Sequence, residues 1–255
     1  MTSGSLAVTK TNETSRILTA EQAITQSQAA IGNLVKEYKL NDSDGRRFSL
    51  ADYRGKPLVI SLVYTSCATV CPIMTQTLHD AVTQAGNVIG ADRFNILTIG
   101  FDATKDTPRR MALYASDQNI DLPNWRFASG NRQTILSLLD DLGFSYASVA
   151  GGFDHIAQTT IIDVDGRVYR HVYGDDFPVQ VFVEPLKDTV FGLKRDITVS
   201  GLIDRFRFFC TSFDPNLGRY TTNYLEAFAG MAVGALSFIL IGAWIRREWN
   251  KQRPA

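Results

Sequence analysis

The chain has 255 residues, with 26 Lys and Arg against 26 Asp and Glu and a formal net charge of zero. That length accommodates one medium domain plus accessory segments, and the absence of a dense basic stripe argues against nucleic-acid binding. The three cysteines, Cys67, Cys71 and Cys210, are too few and too odd in number to staple a small disulfide scaffold.

Residues 1–35 are mostly polar or small and carry no aromatic side chain. The first 32 hold no apolar run of the kind an export signal carries. Asn12-Glu13-Thr14 has the form of a glycosylation acceptor, which means nothing in a bacterial chain. Thr19 followed by Gln22 has the form of a capping box and predicts a helix over 20–35. Around Asp44-Gly45, residues 38–40 and 46–50 predict a hairpin. Residues 58–64 form a nearly continuous apolar run, as in a central buried strand. Cys67 and Cys71 follow at once, and then a helix is expected over 74–89.

Residues 95–101 read as the next buried strand, ended by Asp102. Thr107-Pro108 opens a helix to about residue 118, with Thr107 as N-cap and Pro108 at the first helical position. A short strand is expected over 125–128. Residues 131–142 place Ile135, Leu138, Leu139 and Leu142 on one helical face. Residues 159–163 and 168–172 flank Val164-Asp165-Gly166-Arg167 as a second hairpin. The last helix is expected over 184–191, with Pro185 in its first turn. Strands alternating with helices imply an α/β sheet. With the late antiparallel hairpin, the fold class is thioredoxin-like: a central mixed sheet flanked by helices.

Residues 227–245 carry no charge and are mostly apolar, long enough for one bilayer crossing. Tyr220 and Tyr224 precede this stretch, and Trp244 and Trp249 stand at its far end. Arg246, Arg247, Lys251 and Arg253 follow, opposed only by Glu248, which places the tail in the cytoplasm. Gly230 and Gly234 give a weak helix-packing pattern within it. The organisation expected is a polar segment with a short helix (1–35), a thioredoxin-like domain (36–198), a juxtamembrane linker (199–223), a C-terminal transmembrane helix (224–246) and a basic cytoplasmic tail (247–255). The soluble domain is expected on the outer, periplasmic face of a bacterial cytoplasmic membrane.

Pro72 lacks an N–H and fits best in a first helical turn, so the helix starts close to Cys71. A helix N-terminus offers unpaired N–H groups and partial positive charge, which favour thiolate. A thiolate pair can form a disulfide or bind a soft metal. Three residues separate the cysteines, where common redox pairs have two. Gly151-Gly152-Phe153-Asp154-His155 reads as a loop that faces the cysteine turn in a thioredoxin-like topology. Redoxins place a cis-proline there; this chain has none nearby and has His155 instead. An imidazole beside two thiolates suits Cu(I), and also Cu(II) or Zn(II). Asp154 is a candidate to orient the ring. His79 and His171 read as structural or exposed. Asp102 and Asp106 read either as an acidic rim or, for Asp106, as a helix cap with Thr107. Cys210 reads as a free thiol near the membrane.

The sequence Tyr64-Thr65-Ser66-Cys67-Ala68-Thr69-Val70-Cys71-Pro72, then Asp102, Asp106-Thr107-Pro108 and Asp154-His155, resembles the Sco/SenC family of copper-binding assembly factors for cytochrome c oxidase. Gly55-Lys56-Pro57 ahead of the strand adds to the likeness, which covers about residues 30–195. The resemblance implies copper held by Cys67, Cys71 and His155, and membrane anchoring. It also implies copper delivery to, or thiol reduction at, the CuA site of oxidase subunit II, with other copper chaperones as further partners. Family members are more often anchored by an N-terminal helix, whereas the span here is C-terminal.

Three functions are therefore in view. One is a metallochaperone rather than an enzyme. The second is a thiol–disulfide oxidoreductase with Cys67 and Cys71 as its redox pair. The third is a thiol peroxidase, suggested by Thr65 two residues before Cys67, although the spacing and preceding proline of peroxidases are not matched.

Overall fold

The computed structural model describes residues 19–192, the segments Thr211–Asp214 and Arg219–Thr222, and Arg246. The first helix, α1 (Ala20–Ala29), starts on the expected capping box: the Thr19 side chain accepts from Gln22 N–H and the Gln22 side chain returns the bond. It stops well short of residue 35. Gly32 takes a φ of +91°, a left-handed conformation no helix continues through. Beyond it, Val35 N–H donates to Gly166 O and Leu34 bridges Arg167, so this stretch joins the sheet edge.

The sheet has seven strands in the order β2-β1-β5-β4-β3-β8-β9. They are β1 (Lys39–Asp42), β2 (Arg47–Ser49), β3 (Leu58–Val63), β4 (Asn95–Gly100), β5 (Trp125–Ser129), β8 (Gln158–Ile162) and β9 (Val168–Tyr173). Every residue of β3 is buried, as its unbroken apolar run requires of a strand covered on both faces. β3, β4 and β5 run parallel, with Val63 opposite Gly100 and Thr98 opposite Phe127. β8 runs antiparallel to β3, with Ser61 opposite Thr159. The N-terminal end of β8 therefore lies at the C-terminal end of β3. The helices α2 (Val70–Ile89), α3 (Pro108–Asp117), α4 (Arg132–Asp141) and α5 (Val179–Phe191) complete the domain.

The expected order of elements holds, with two corrections besides α1. α2 begins at Val70, so Cys71 and Pro72 stand in its first turn as the proline implied, ahead of the 74–89 stretch. α5 begins at Val179 behind Pro178, whose extended backbone sets the start, so Pro185 sits within the helix and not in its first turn. The glycine-rich loop before β8 is a two-stranded hairpin, β6 (Tyr146–Val149) and β7 (Gly152–His155), with Tyr146 opposite His155. In the stretch expected as a linker, β10 (Thr211–Asp214) pairs antiparallel with β11 (Arg219–Thr222). Among the described residues no helix is long and apolar enough to cross a membrane. Residues 227–245, Cys210, Gly230, Gly234 and Asn12 all lie outside them.

Candidate metal centre

The topology brings three chain segments to one end of the sheet: the turn after β3, the turn after β4 and the hairpin before β8. Clefts beyond the carboxyl ends of parallel strands are where open α/β sheets hold their ligands. Cys67 lies in the first turn, half-buried, its N–H donating to Tyr64 O at 3.0 Å. Thr69, the N-cap of α2, makes no side-chain cap. The Cys67 sulfur takes over that task, accepting from Cys71 N–H at 3.3 Å. Cys71 itself is fully buried under the sheet. Both thiols are free.

The two sulfurs stand in different electrostatic settings. Burial pushes the Cys67 thiol up, but the N–H groups of Cys71 and Thr69, with the Cys71 thiol and the Tyr64 hydroxyl, favour its anion and hold it below the ordinary thiol value. Burial pushes the Cys71 thiol well up, and the neighbouring Cys67 sulfur adds to the shift. The surroundings thus favour ionisation at Cys67 and oppose it at Cys71.

His155 ends β7, half-buried. Its ring lies among Phe101 and Phe144, both at 5.4 Å between centroids, and Tyr64 at 6.0 Å. Its Nδ1 lies 2.9 Å from Ile156 O. A backbone carbonyl can only accept, so Nδ1 carries the proton and Nε2 keeps its lone pair. Metal-ligating histidines are oriented in this way. Burial lowers the imidazole pKa, outweighing the Ile156 carbonyl and Asp154, so the ring is neutral at pH 7. The expected orienting role of Asp154 is not seen: the carbonyl next in the chain takes that place. A cavity of about 140 Å³ beside His155 is lined by Ala20, Ala23, Ser145 and Ile156 among others.

Among the described residues no three His, Cys, Asp or Glu side chains are gathered closely enough to hold a metal ion. Cys67 and Cys71 are joined through the Cys71 N–H, and the His155 ring meets the Tyr64 ring at 6.0 Å between centroids. The donor set still fits a soft cation: two sulfurs and one imidazole with its lone pair available.

Asp106 is neither rim nor cap. It is buried, and its carboxylate accepts from Thr65 N–H at 2.9 Å, Thr65 Oγ1 at 2.7 Å and Asp102 N–H at 2.9 Å. It fastens the turn after β4 to the turn that carries Cys67. Thr107 alone caps α3. Asp102, also buried, accepts from Thr104. His79 lies on α2 beside Asp80 and Trp125, and His171 is buried on β9 with Thr160 and Gln158. Neither joins the centre. That Tyr64, Phe101, Phe144 and Phe153 gather as a ring cluster around His155 carried no sequence signal. The one available clue was Tyr64 lying between a buried strand and the first cysteine.

The profile of the SCO1/SenC family matches residues 26–191. An SCO2-like protein of Rickettsia felis is 27% identical over 154 residues, covering 57% of this chain and 72% of that one. A crystal structure of an Aquifex aeolicus protein described as a putative electron transfer protein superposes with a TM-score of 0.60 at 24% identity, covering 66% of this chain and 99% of its own. Bradyrhizobium japonicum ScoI, solved with copper bound, gives a TM-score of 0.52 at 24% identity over 61% of this chain and 99% of its own. The profile match spans the sheet, the cysteine turn and the histidine hairpin together, and the chain belongs to the SCO1/SenC family.

Proposed function

We propose that this chain is a copper chaperone that holds copper through Cys67, Cys71 and His155 and serves assembly of the CuA centre of cytochrome c oxidase. The observation that carries the reading is His155, whose Nδ1 is committed to Ile156 O at the cysteine end of the sheet, leaving Nε2 as a donor. Copper bound to ScoI and membership of the family support the choice of cargo. Cys67 and Cys71 supply the soft sulfurs, and the half-buried Cys67 offers the first contact. The apolar stretch at 227–245 anchors the domain to the membrane, with the domain on the outer face and oxidase subunit II as the recipient.

The test is metal content after anaerobic purification and Cu(I) loading. Wild type should retain close to one equivalent. Cys67→Ala and Cys71→Ala should lose it, and His155→Ala should weaken it at least about tenfold, since loss of even an outer-shell partner costs that much. Full affinity in His155→Ala would remove the three-ligand reading.

A second reading, thiol–disulfide exchange with a partner, draws on the unequal thiols. Cys67 would attack and the buried Cys71 would resolve. It needs no His155, so exchange rates in His155→Ala separate the two. A peroxidase is disfavoured, because the Thr65 hydroxyl is spent on Asp106 and not on Cys67.

A further inference from the structure

We infer that Tyr114, acting through Thr75, is a positioning residue for Cys71: a relay of two hydroxyls from α3 that fixes the first turn of α2 and with it the second sulfur of the pair. The inference rests on the copper reading above and adds the groups that hold one of its ligands in place.

The first turn of α2 is weakly held by its own helix. Thr69, the N-cap, has its backbone at φ −129° and ψ −71° and lends no side-chain cap. Ile73 N–H reaches Thr69 O only at 3.4 Å. Pro72 has no N–H to give. Cys71 N–H finds its partner outside the helix ladder, in the Cys67 sulfur.

The Cys71 carbonyl is gripped from the other side. Thr75 Oγ1 donates to Cys71 O at 2.8 Å, and the Tyr114 hydroxyl stands 2.8 Å from Thr75 Oγ1. A carbonyl only accepts, so the single Thr75 hydroxyl proton is spent on it. The proton between the two hydroxyls therefore belongs to Tyr114. The relay runs from Tyr114 O–H to Thr75 O–H to Cys71 O. Threonine often bonds the carbonyl four residues back in a helix. The phenol behind it is the particular feature here, because a second donor in a buried chain strengthens the first bond. Thr75 is 1% exposed and Tyr114 6%, so water competes for neither bond.

The relay has a counterpart on the near side of the turn. Asp106, just ahead of α3, holds Thr65 two residues before Cys67. One stretch of chain, residues 106–114, thus grips the cysteine turn at both ends. Gly100 lets that stretch sit close on β4: a Cβ there would stand 2.8 Å from Met111 Sδ. Without the relay the first turn of α2 samples other arrangements. Copper must then select the fraction with Cys71 in place, and its apparent affinity falls by that fraction.

The test uses the reduced full-length chain. Cu(I) affinity is measured by competition with a chromophoric chelator, and Cys71 alkylation by iodoacetamide is followed without metal by mass spectrometry. Tyr114→Phe keeps the ring and removes the donor. It should weaken Cu(I) affinity about three- to tenfold and speed Cys71 alkylation by a similar factor, the worth of one ordinary hydrogen bond. Thr75→Val removes the whole relay and should do more, whereas Thr75→Ser keeps the hydroxyl and should match wild type. Tyr114→Phe added to Thr75→Val should cost no further affinity, as groups acting in series require. Gln76→Ala cuts another bond between α2 and α3, Gln76 Nε2 to Gln118 O at 2.8 Å, without reaching Cys71, and should change neither readout.

A merely structural tie would lower the thermal midpoint and leave copper affinity unmoved, since the folded form dominates in either case; that result in Tyr114→Phe and Thr75→Val overturns the assignment. So does an equal loss in Gln76→Ala, or a Thr75→Ser chain as weak as Thr75→Val. Should the wild-type chain take up no copper, the chaperone reading fails on its own. Cys71 alkylation across the same variants then still decides the relay, and wild-type rates in both Tyr114→Phe and Thr75→Val refute it.

Discussion

Asp106→Asn probes how the cysteine turn is held. Three donors converge on this buried carboxylate: Thr65 N–H, Thr65 Oγ1 and Asp102 N–H, all within 2.9 Å. Asparagine keeps the shape but has one acceptor oxygen and two N–H donors. If the oxygen faces Thr65, the amide nitrogen confronts Asp102 N–H, and a buried donor loses its partner at about 1–3 kcal/mol. The two bonds left become neutral ones, weaker by about 1 kcal/mol each. Burial already raises the pKa of Asp106, against the lowering influence of the same N–H groups, so removing the charge recovers part of this loss. The net expectation is a destabilisation of about 2–3 kcal/mol, roughly 5–10 °C in Tm for a domain of this size. The turn carrying Cys67 should also slacken, lowering Cu(I) affinity several-fold. Thermal unfolding at pH 7 and chelator competition check both. A Tm within about 1 °C of wild type would show that the carboxylate contributes nothing to fastening the turn.

Iodoacetamide at pH 7 should modify Cys67 first. Cys71, fully buried and raised in pKa, should react at least about tenfold more slowly until the chain unfolds, as burial and thiol character both require; equal rates by mass spectrometry would contradict the assignment. Buried His171 should make stability pH-dependent. Burial, against a backbone contact to Ser27, lowers its pKa from 6.5 to about 4, and Gln158 Nε2 at 3.2 Å donates to the nitrogen a second proton would need. Between these values the unfolded chain binds the proton and the folded chain does not. Stability is therefore full above pH 6.5 and falls as pH drops towards 4, by roughly 3 kcal/mol over the window. Denaturant titrations across that range should show the slope in wild type and lose most of it in His171→Gln; an unaltered slope would assign it to other groups.

The sheet and most helices were legible because each has a local physical signature. β3 is a continuous apolar run, α3 begins on Thr107-Pro108, and α4 shows a four-residue apolar stripe. What stayed hidden depended on contacts far apart in sequence. Gly151-Gly152 looked like a loop because the β6–β7 strands are short and polar in part, and their pairing is fixed by packing on Tyr64 and Phe101. Asp106 looked like a cap because Thr107-Pro108 follows it, yet two of its three donors are 41 residues back at Thr65. The two cysteines and His155 were legible as candidates from chemistry and topology alone. That the Ile156 carbonyl, and not Asp154, fixes the imidazole was not, since it follows from the local path of the backbone after β7.

The unequal thiols do not by themselves choose between carrying copper and exchanging disulfides, since both need one accessible sulfur and one held in reserve. The surroundings of His155 favour the copper reading proposed above. A reductase gains nothing from an imidazole whose Nδ1 is committed to a backbone carbonyl and whose ring is packed among Phe101 and Phe144. A soft-metal site needs that commitment, because it fixes which nitrogen carries the lone pair. Burial also keeps the ring neutral, and a protonated ring could not be a ligand. Cys71 presents the complementary need. Burial resists its ionisation more than the Tyr64 backbone contact eases it, with the Cys67 sulfur and Asp106 adding negative charge nearby. A cation arriving at Cys67 supplies the positive charge that would allow the second sulfur to ionise. On the copper reading, burial orders the two sulfurs: the half-buried Cys67 meets the cation first and the buried Cys71 follows.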